Sequence, residues 1–398
     1  MTALYICYYP VSEPLVQTQV IAYLRELAKA GHRIVLLTFE PQAPTGEVRM
    51  ETNQRLAADG ITWHWLRYHQ RPSLPATIFD ALAGVFVGWR LVRRYGVQLI
   101  HARSHVPAAM ALALKRLLGV KVLFDVRGLL AEEYEDAGLW RRDSVKFRLT
   151  KALERRCLAA ADAVVVLTER LKQRFVIGGV RAPITVIPCC VDMTAFESPD
   201  RATVSSQLTR LRDRTVLIYV GKLGSWYLAE EMAQFFVEAR TVLPDLHFLI
   251  LTQSDHALAV SQLTRQEVPL EAFTVMTVAP TQVPDYLALA DVGISFIRPC
   301  FSKLASSPTK IGEYLAAGLP VVTNAGIGDC DELFQDGLTG VIVASFDAAG
   351  YRDAASRLRD LLSQPEQVRT HSRELARREL SLEHVGAPRY RAVYEALA

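Results

Sequence analysis

Apolar positions along this chain fall into short continuous runs separated by stretches of helical period. Residues 3–9 form a mostly apolar run that reads as a buried strand. Pro10 and Pro14 bracket a loop, and Val16, Val20, Leu24 and Leu27 then recur on one helix face. Gly31 ends that helix and residues 33–39 supply the next strand. Strand, helix and strand in so short a span make a βαβ unit, which requires parallel strands and a right-handed crossover. The same alternation predicts strands at 97–102, 121–126 and 163–167. A second series follows at 215–221, 247–252, 273–278, 292–297, 320–323 and 340–343. Between the series, residues 188–200 carry turn formers with little periodicity. The pattern predicts an α/β chain of two doubly wound, Rossmann-like domains, 1–192 and 193–375, followed by a terminal segment, 376–398. Ligands are expected beyond the carboxyl ends of the strands, where two such sheets facing each other would enclose a central cleft. The longest apolar stretch, residues 74–89, contains Asp80 and falls short of the ~20 residues that span a bilayer. It reads as a buried or interfacial helix.

Composition narrows the class without choosing it. The chain of 398 residues is half hydrophobic and 22% charged, as a folded enzyme of two domains would be. A net charge of +3 gives no general attraction to nucleic acid, and no nucleic-acid partner is expected. Six scattered cysteines form no CxxC pair and no zinc spacing. They suit reduced thiols in a cytoplasmic protein, and no basic stretch ahead of an apolar run marks a signal peptide. No GxGxxG follows an expected strand, which disfavours a nicotinamide enzyme.

Two segments of the second series carry chemistry. Gly221, Lys222, Gly224 and Ser225 follow a strong strand, where glycines let a ligand approach the backbone. Lys222 adds a point charge suited to a diphosphate, and helix-start amides beyond it would favour an anion. Further on, Pro308 is expected to open a helix that Ser306 or Ser307 caps. Lys310 and Glu313, three apart, project from one face of that helix, and Gly318 stops it. Amides and Lys310 suit phosphate oxygens, while the Glu313 carboxylate can accept hydrogen bonds from a pair of sugar hydroxyls.

The run from Pro308 through Lys310, Glu313 and Tyr314 to Gly318, Pro320, Val321 and Val322 resembles the nucleotide-sugar signature of GT-B-fold retaining glycosyltransferases of family 4. Supporting pieces occur in order. The segment 186–192 with Phe196 is similar to the family's inter-domain stretch. Residues 336–340 resemble its late turn, and Tyr390–Tyr394 resembles the final helix that crosses back to the first domain. The resemblance implies that Glu313 holds the donor ribose and that Lys222 contacts the diphosphate, with Gly224 and Ser225 offering amides. Lys310 would also serve the phosphates. Three departures stand out: Ala305 where the family has a first glutamate, Trp226 and Tyr227 where it has a second lysine, and Cys189–Cys190 in place of Asn-Gly. Ser302, Lys303 or Ser306 would then have to contact the donor sugar.

In the first series, His101, Arg103 and His105 cluster at one strand end, and Asp125 and Arg127 end the next. Arg103, His105 and Arg127 are the candidates for polarising the reacting hydroxyl or binding phosphate. Ser12, Glu13 and Gln17 are expected to shape the acceptor pocket. The resemblance implies electrostatic catalysis without metal or cofactor, the leaving diphosphate taking the acceptor's proton while Lys222 and Lys310 stabilise its charge. Asp329-Cys330-Asp331 imitates a metal-binding Asp-x-Asp but reads as a helix start, where acidic residues are favoured. Residues 141–156 carry seven basic side chains against Asp143 and Glu154. That segment reads as a solvated helix face or as a contact with an anionic membrane at the inner face of a bacterial-type cell. The expected activity is transfer of a sugar from a nucleotide sugar to a glycan or lipid-linked acceptor. A nucleotide-sugar 2-epimerase and an inert nucleotide-sugar binding subunit are the alternatives.

Overall fold

Runs of branched and aromatic residues that bury both faces of a strand build parallel sheets, which helices must cover on each side. The structure, a computed structural model, describes residues 1–335 and 337–398 and contains two such sheets. The first comprises β1 (Thr2–Cys7), β2 (Arg33–Glu40), β3 (Ile61–Arg67), β4 (Leu99–Arg103), β5 (Lys121–Asp125), β6 (Ala163–Val166) and β7 (Ile184–Val186), in the order β3-β2-β1-β4-β5-β6-β7. The second comprises β8 (Thr215–Val220), β9 (Leu246–Leu251), β10 (Phe273–Met276), β11 (Val292–Ser295), β12 (Val321–Asn324) and β13 (Gly340–Val343), in the order β10-β9-β8-β11-β12-β13. Every strand pair in both is parallel.

Strand order reverses between β1 and β4 in the first sheet and between β8 and β11 in the second. Those are the switch points at which open α/β sheets bind ligands. The chain divides into one unit of Met1–Pro188 with Leu382–Ala398 and another of Cys189–Ser381. The sequence pattern sets the boundaries after residues 192 and 375. β3 and β7 are additions to the expected strands. Both are edge strands, and their partly exposed residues give no continuous apolar run.

The helices that matter below are α1 (residues 14–29, with a π-helical middle at Gln17–Ile21), α2 (Ser73–Tyr95), α3 (His105–Leu118), α4 (Leu130–Asp136) and α5 (Val145–Ala160) in the first unit. The second has α6 (Ala229–Val242) and α7 (Thr309–Ala316), and α8 (Ala387–Ala396) returns to the first. Right-handed crossovers put α2, α3 and α5 on one face of the first sheet, side by side, and α1 on the other. There α8 packs beside α1, with the Tyr23 and Tyr390 rings edge to face at 5.2 Å. The apolar stretch expected at 74–89 is part of α2, a longer helix of 23 residues. By length and composition it could span a bilayer, but its inner face packs within the first unit.

Candidate functional site

In the second unit the sheet ends on Gly221, which follows β8 with φ +137°, a conformation that suits glycine. A Cβ there would lie 2.9 Å from Lys310 Nζ, so the loop and α7 meet at the switch point. Lys310 is buried, and its ammonium donates to the Tyr219 hydroxyl at 3.0 Å. Tyr219 in turn donates to the Lys222 carbonyl. The same ammonium lies 4.1 Å from the Tyr219 ring centroid and 3.7 Å from that of Tyr227. Burial pulls Lys310 down to about 7, against an upward pull from Glu313. One turn along α7, the half-buried Glu313 carboxyl is raised by burial, an effect Lys310 partly offsets. Lys222 is exposed. Lys310 thus meets the loop that carries Lys222, and it is held there by aromatic rings rather than by an anion.

Tyr314 explains the spacing of the motif. Its hydroxyl accepts the Val220 amide at 2.9 Å and donates to the Ile294 carbonyl at 3.3 Å, fixing α7 to the ends of β8 and β11. Gly293 makes room for the ring, because a Cβ there would sit 2.3 Å from Tyr314 Cδ2.

Three local expectations are corrected. Pro308 stands one residue before α7, at the cap position, and no side chain caps the helix. The Ser307 hydroxyl is engaged elsewhere, accepting the Cys189 amide at 3.0 Å, while Ser306 ends a 3-10 turn over Phe301–Ala305. The amides after Gly221 do not begin a helix. Gly224 and Ser225, with φ of +79° and +57°, form a turn closed by the Tyr227 amide on the Gly224 carbonyl, and α6 begins only at Ala229. Ala305 is buried, and the ammonium of Lys303, two residues before it, lies 4.1 Å from the Trp226 ring centroid. The Asp331 carboxylate of the Asp-x-Asp stretch accepts the Gly326 amide. Of the late turn, Asp336 lies outside the described residues and Gly340 opens β13.

In the first unit the strand ends gather charge around Asp125. This carboxylate is fully buried, and among the described residues neither oxygen has a well-aligned hydrogen-bond donor. Arg127 Nη1, His101 Nε2 and Arg103 Nη1 surround it at 3.5, 3.6 and 3.7 Å. Burial alone would raise Asp125, but Arg127, His101 and Arg103 outweigh it and hold the carboxyl well below the usual carboxylate range. His101 Nδ1 meets the Tyr394 hydroxyl of α8 at 3.0 Å. Gln19 of α1 receives both arginines, its carbonyl from Arg103 at 3.4 Å and its side-chain oxygen from Arg127 at 3.5 Å.

His105 belongs to a different network. Ser104, with φ +70°, turns the chain between the two sites. His105 Nε2 then pairs with Glu154 Oε2 of α5 at 3.0 Å, and Lys151 bridges Glu154 to Glu132 of α4. Of the expected acceptor residues, Ser12 is exposed and Glu13 starts α1 through its carbonyl. The Gln17 side chain bonds the Val11 carbonyl and Arg55. Gln19, rather than Gln17, reaches the buried cluster. His101 and Asp125 were visible as strand-end residues, but only pairing β4 with β5, which sets Arg103 opposite Asp125, joins them.

The family model described as Glycosyltransferase Family 4 matches residues 16–195, and the one described as Glycosyl transferases group 1 matches residues 214–360. No curated protein matches the chain by sequence. Solved structures match its fold at low identity. A glycosyltransferase from Rickettsia africae is 16% identical with a TM-score of 0.72, the match covering 100% of this chain and 98% of that one. For the sucrose-phosphate synthase of Thermosynechococcus elongatus the values are 17%, 0.74, 100% and 100%. For the Anabaena protein HepE, solved in complex with UDP, they are 14%, 0.72, 99% and 100%. With a family model over most of each unit and the same two-sheet fold in solved glycosyltransferases, the chain belongs to the family 4, group 1 glycosyltransferases of GT-B fold.

Proposed function

We propose that this glycosyltransferase takes its sugar from a nucleotide diphosphate donor and passes it to a hydroxyl acceptor with retention of configuration. The reaction would need no metal. The observation that carries the reading is the meeting of Gly221 and Lys310 at the β8/β11 switch point, with Glu313 one turn further along α7. The Glu313 carboxylate would accept two ribose hydroxyls, while Lys310 and the exposed Lys222 face the diphosphate, helped by the Gly224 and Ser225 amides. HepE has been solved with UDP and with UDP-glucose, which favours a uridine nucleotide as the first donor to try. Charge that develops on the leaving diphosphate meets lysines already in place, and the diphosphate can accept the acceptor's proton. Arg103 and Arg127 in the first unit, neutralised in part by Asp125, are proposed to hold acceptor phosphate. A lipid-linked glycan at the cytoplasmic face of a membrane suits the exposed Lys146, Arg148, Arg155 and Arg156 of α5.

Incubation with single nucleotide sugars, with and without a lipid-phosphate acceptor, tests the reading. Acceptor-dependent release of nucleotide is expected, with the α or β linkage matching the donor's. An isomerised donor, or binding without turnover, would replace the proposal with an epimerase or an inert subunit. Glu313→Ala should weaken donor binding at least tenfold with an unchanged melting temperature, and wild-type affinity in that variant would remove Glu313 from the site.

A further inference from the structure

Helix α2 has its apolar side outside. Leu74, Ile78, Phe79, Leu82 and Phe86 are each more than half exposed, and Trp89 continues the row. The spacing is that of one helix face, about 20 Å long at 1.5 Å per residue. The opposite face, Ala76, Asp80, Gly84, Gly88, Leu91 and Val92, is buried. It is locked in place. A Cβ at Gly84 would meet Met110 Sδ at 2.6 Å, and one at Gly88 would meet Leu114 Cδ1 at 2.8 Å. Asp80 accepts the Tyr8 hydroxyl at 2.7 Å and the His69 amide at 2.9 Å. The helix therefore cannot leave its sheet to span a bilayer, yet its outer face is apolar as far as Trp89.

Charge says what covers it. Asp80 is the helix's single acidic residue and it points inward, whereas Arg90, Arg93 and Arg94 are exposed at the carboxyl end. The Arg93 guanidinium lies 4.9 Å from the Trp89 ring centroid and that of Arg90 lies 5.9 Å from the Phe86 ring centroid, so the apolar row ends in cations stacked on its last aromatics. Beyond α3, in the same layer, α5 presents exposed basic residues. An apolar stripe bordered by arginines and free of exposed carboxylates matches the boundary between acyl chains and anionic headgroups. We propose that the outer face of α2 docks on an anionic lipid bilayer. The helix lies flat in the interface, its apolar row among the acyl chains and Arg90, Arg93 and Arg94 on the headgroups.

The inference rests on the first unit alone and not on the transfer reaction. Flotation of the full chain with vesicles of phosphatidylglycerol and phosphatidylcholine at low salt tests it, with turnover of soluble substrates measured separately. Wild type should float with anionic vesicles and bind pure phosphatidylcholine much more weakly. Leu82→Glu with Phe86→Glu should lower the apparent affinity more than tenfold, and Arg90→Glu with Arg93→Glu several-fold. Should the glutamate pair fail to fold, Leu82→Ser with Phe86→Ser replaces it. Brominated lipid should quench a tryptophan signal that Trp89→Phe removes, a readout indifferent to folding defects elsewhere. Failure of wild type to float would overturn the proposal. So would equal flotation of the Leu82/Phe86 variant, which would move the contact to α5. A lipid-free dimer dispersed by the same variant would assign the stripe to a second copy of the chain.

Discussion

Lys310 has the most consequential environment of any side chain in the second unit. Its ammonium is buried against two tyrosine rings and a hydroxyl, so burial holds its pKa at about 7. A bound diphosphate would favour the charged form and raise that value, so donor binding should take up a proton above pH 7. The sign follows from linkage. Affinity is full where the free lysine is already protonated and falls as pH rises through its free pKa, by up to about tenfold per unit until the bound pKa is reached. Titration calorimetry with UDP-glucose should show this decline and a buffer-dependent enthalpy. Lys310→Met should bind weakly with no slope, and a slope that survives in that variant would place the titrating group elsewhere. Sequence showed Lys310 and Glu313 because they share one short motif. It could not show Tyr219, which lies 91 positions away from Lys310 and meets it only when β8 and α7 are brought together.

Elements show the same division between local pattern and assembled contact. The buried strands of both sheets were legible as apolar runs, since a strand covered on both faces needs no polar alternation. The edge strands β3 and β7 were hidden because their half-exposed residues break that pattern. The cap expected from Ser306 or Ser307 failed because Ser307 serves the Cys189 amide instead. Packing of α7 on β11 gives a sharp test of how the donor loop is held. Gly293→Ala would place a methyl group within the Tyr314 ring and force the hydroxyl off the Val220 amide. A loss of about 3 kcal/mol in chemical denaturation is expected, together with weaker donor binding. An unperturbed Gly293→Ala protein would mean that α7 is free to shift without disturbing the loop.

At the scale of the whole molecule, two doubly wound domains of parallel strands were readable from alternation alone, but the membership of the last residues was not. That depended on resemblance, because an amphipathic terminal helix can cover either sheet. In the structure, Tyr390 and Tyr394 of α8 are buried in the first unit, where Tyr394 meets His101. Deletion of residues 382–398 should therefore loosen the first unit while sparing the second. Hydrogen exchange should rise in β1 and β4 and stay constant in β8 and β11. Equal loosening of both would show that α8 serves the second unit as well. The first unit is thus assembled from two pieces of chain that are 193 residues apart, with Cys189–Ser381 between them. On the ribosome the inserted unit has all its own residues before the surrounding unit does. A nascent chain must carry a first sheet that already has all seven strands but not its last cover, with the surface that α8 will occupy left open, until the closing helix emerges. The order of synthesis thus makes the unit that begins first the one that finishes last.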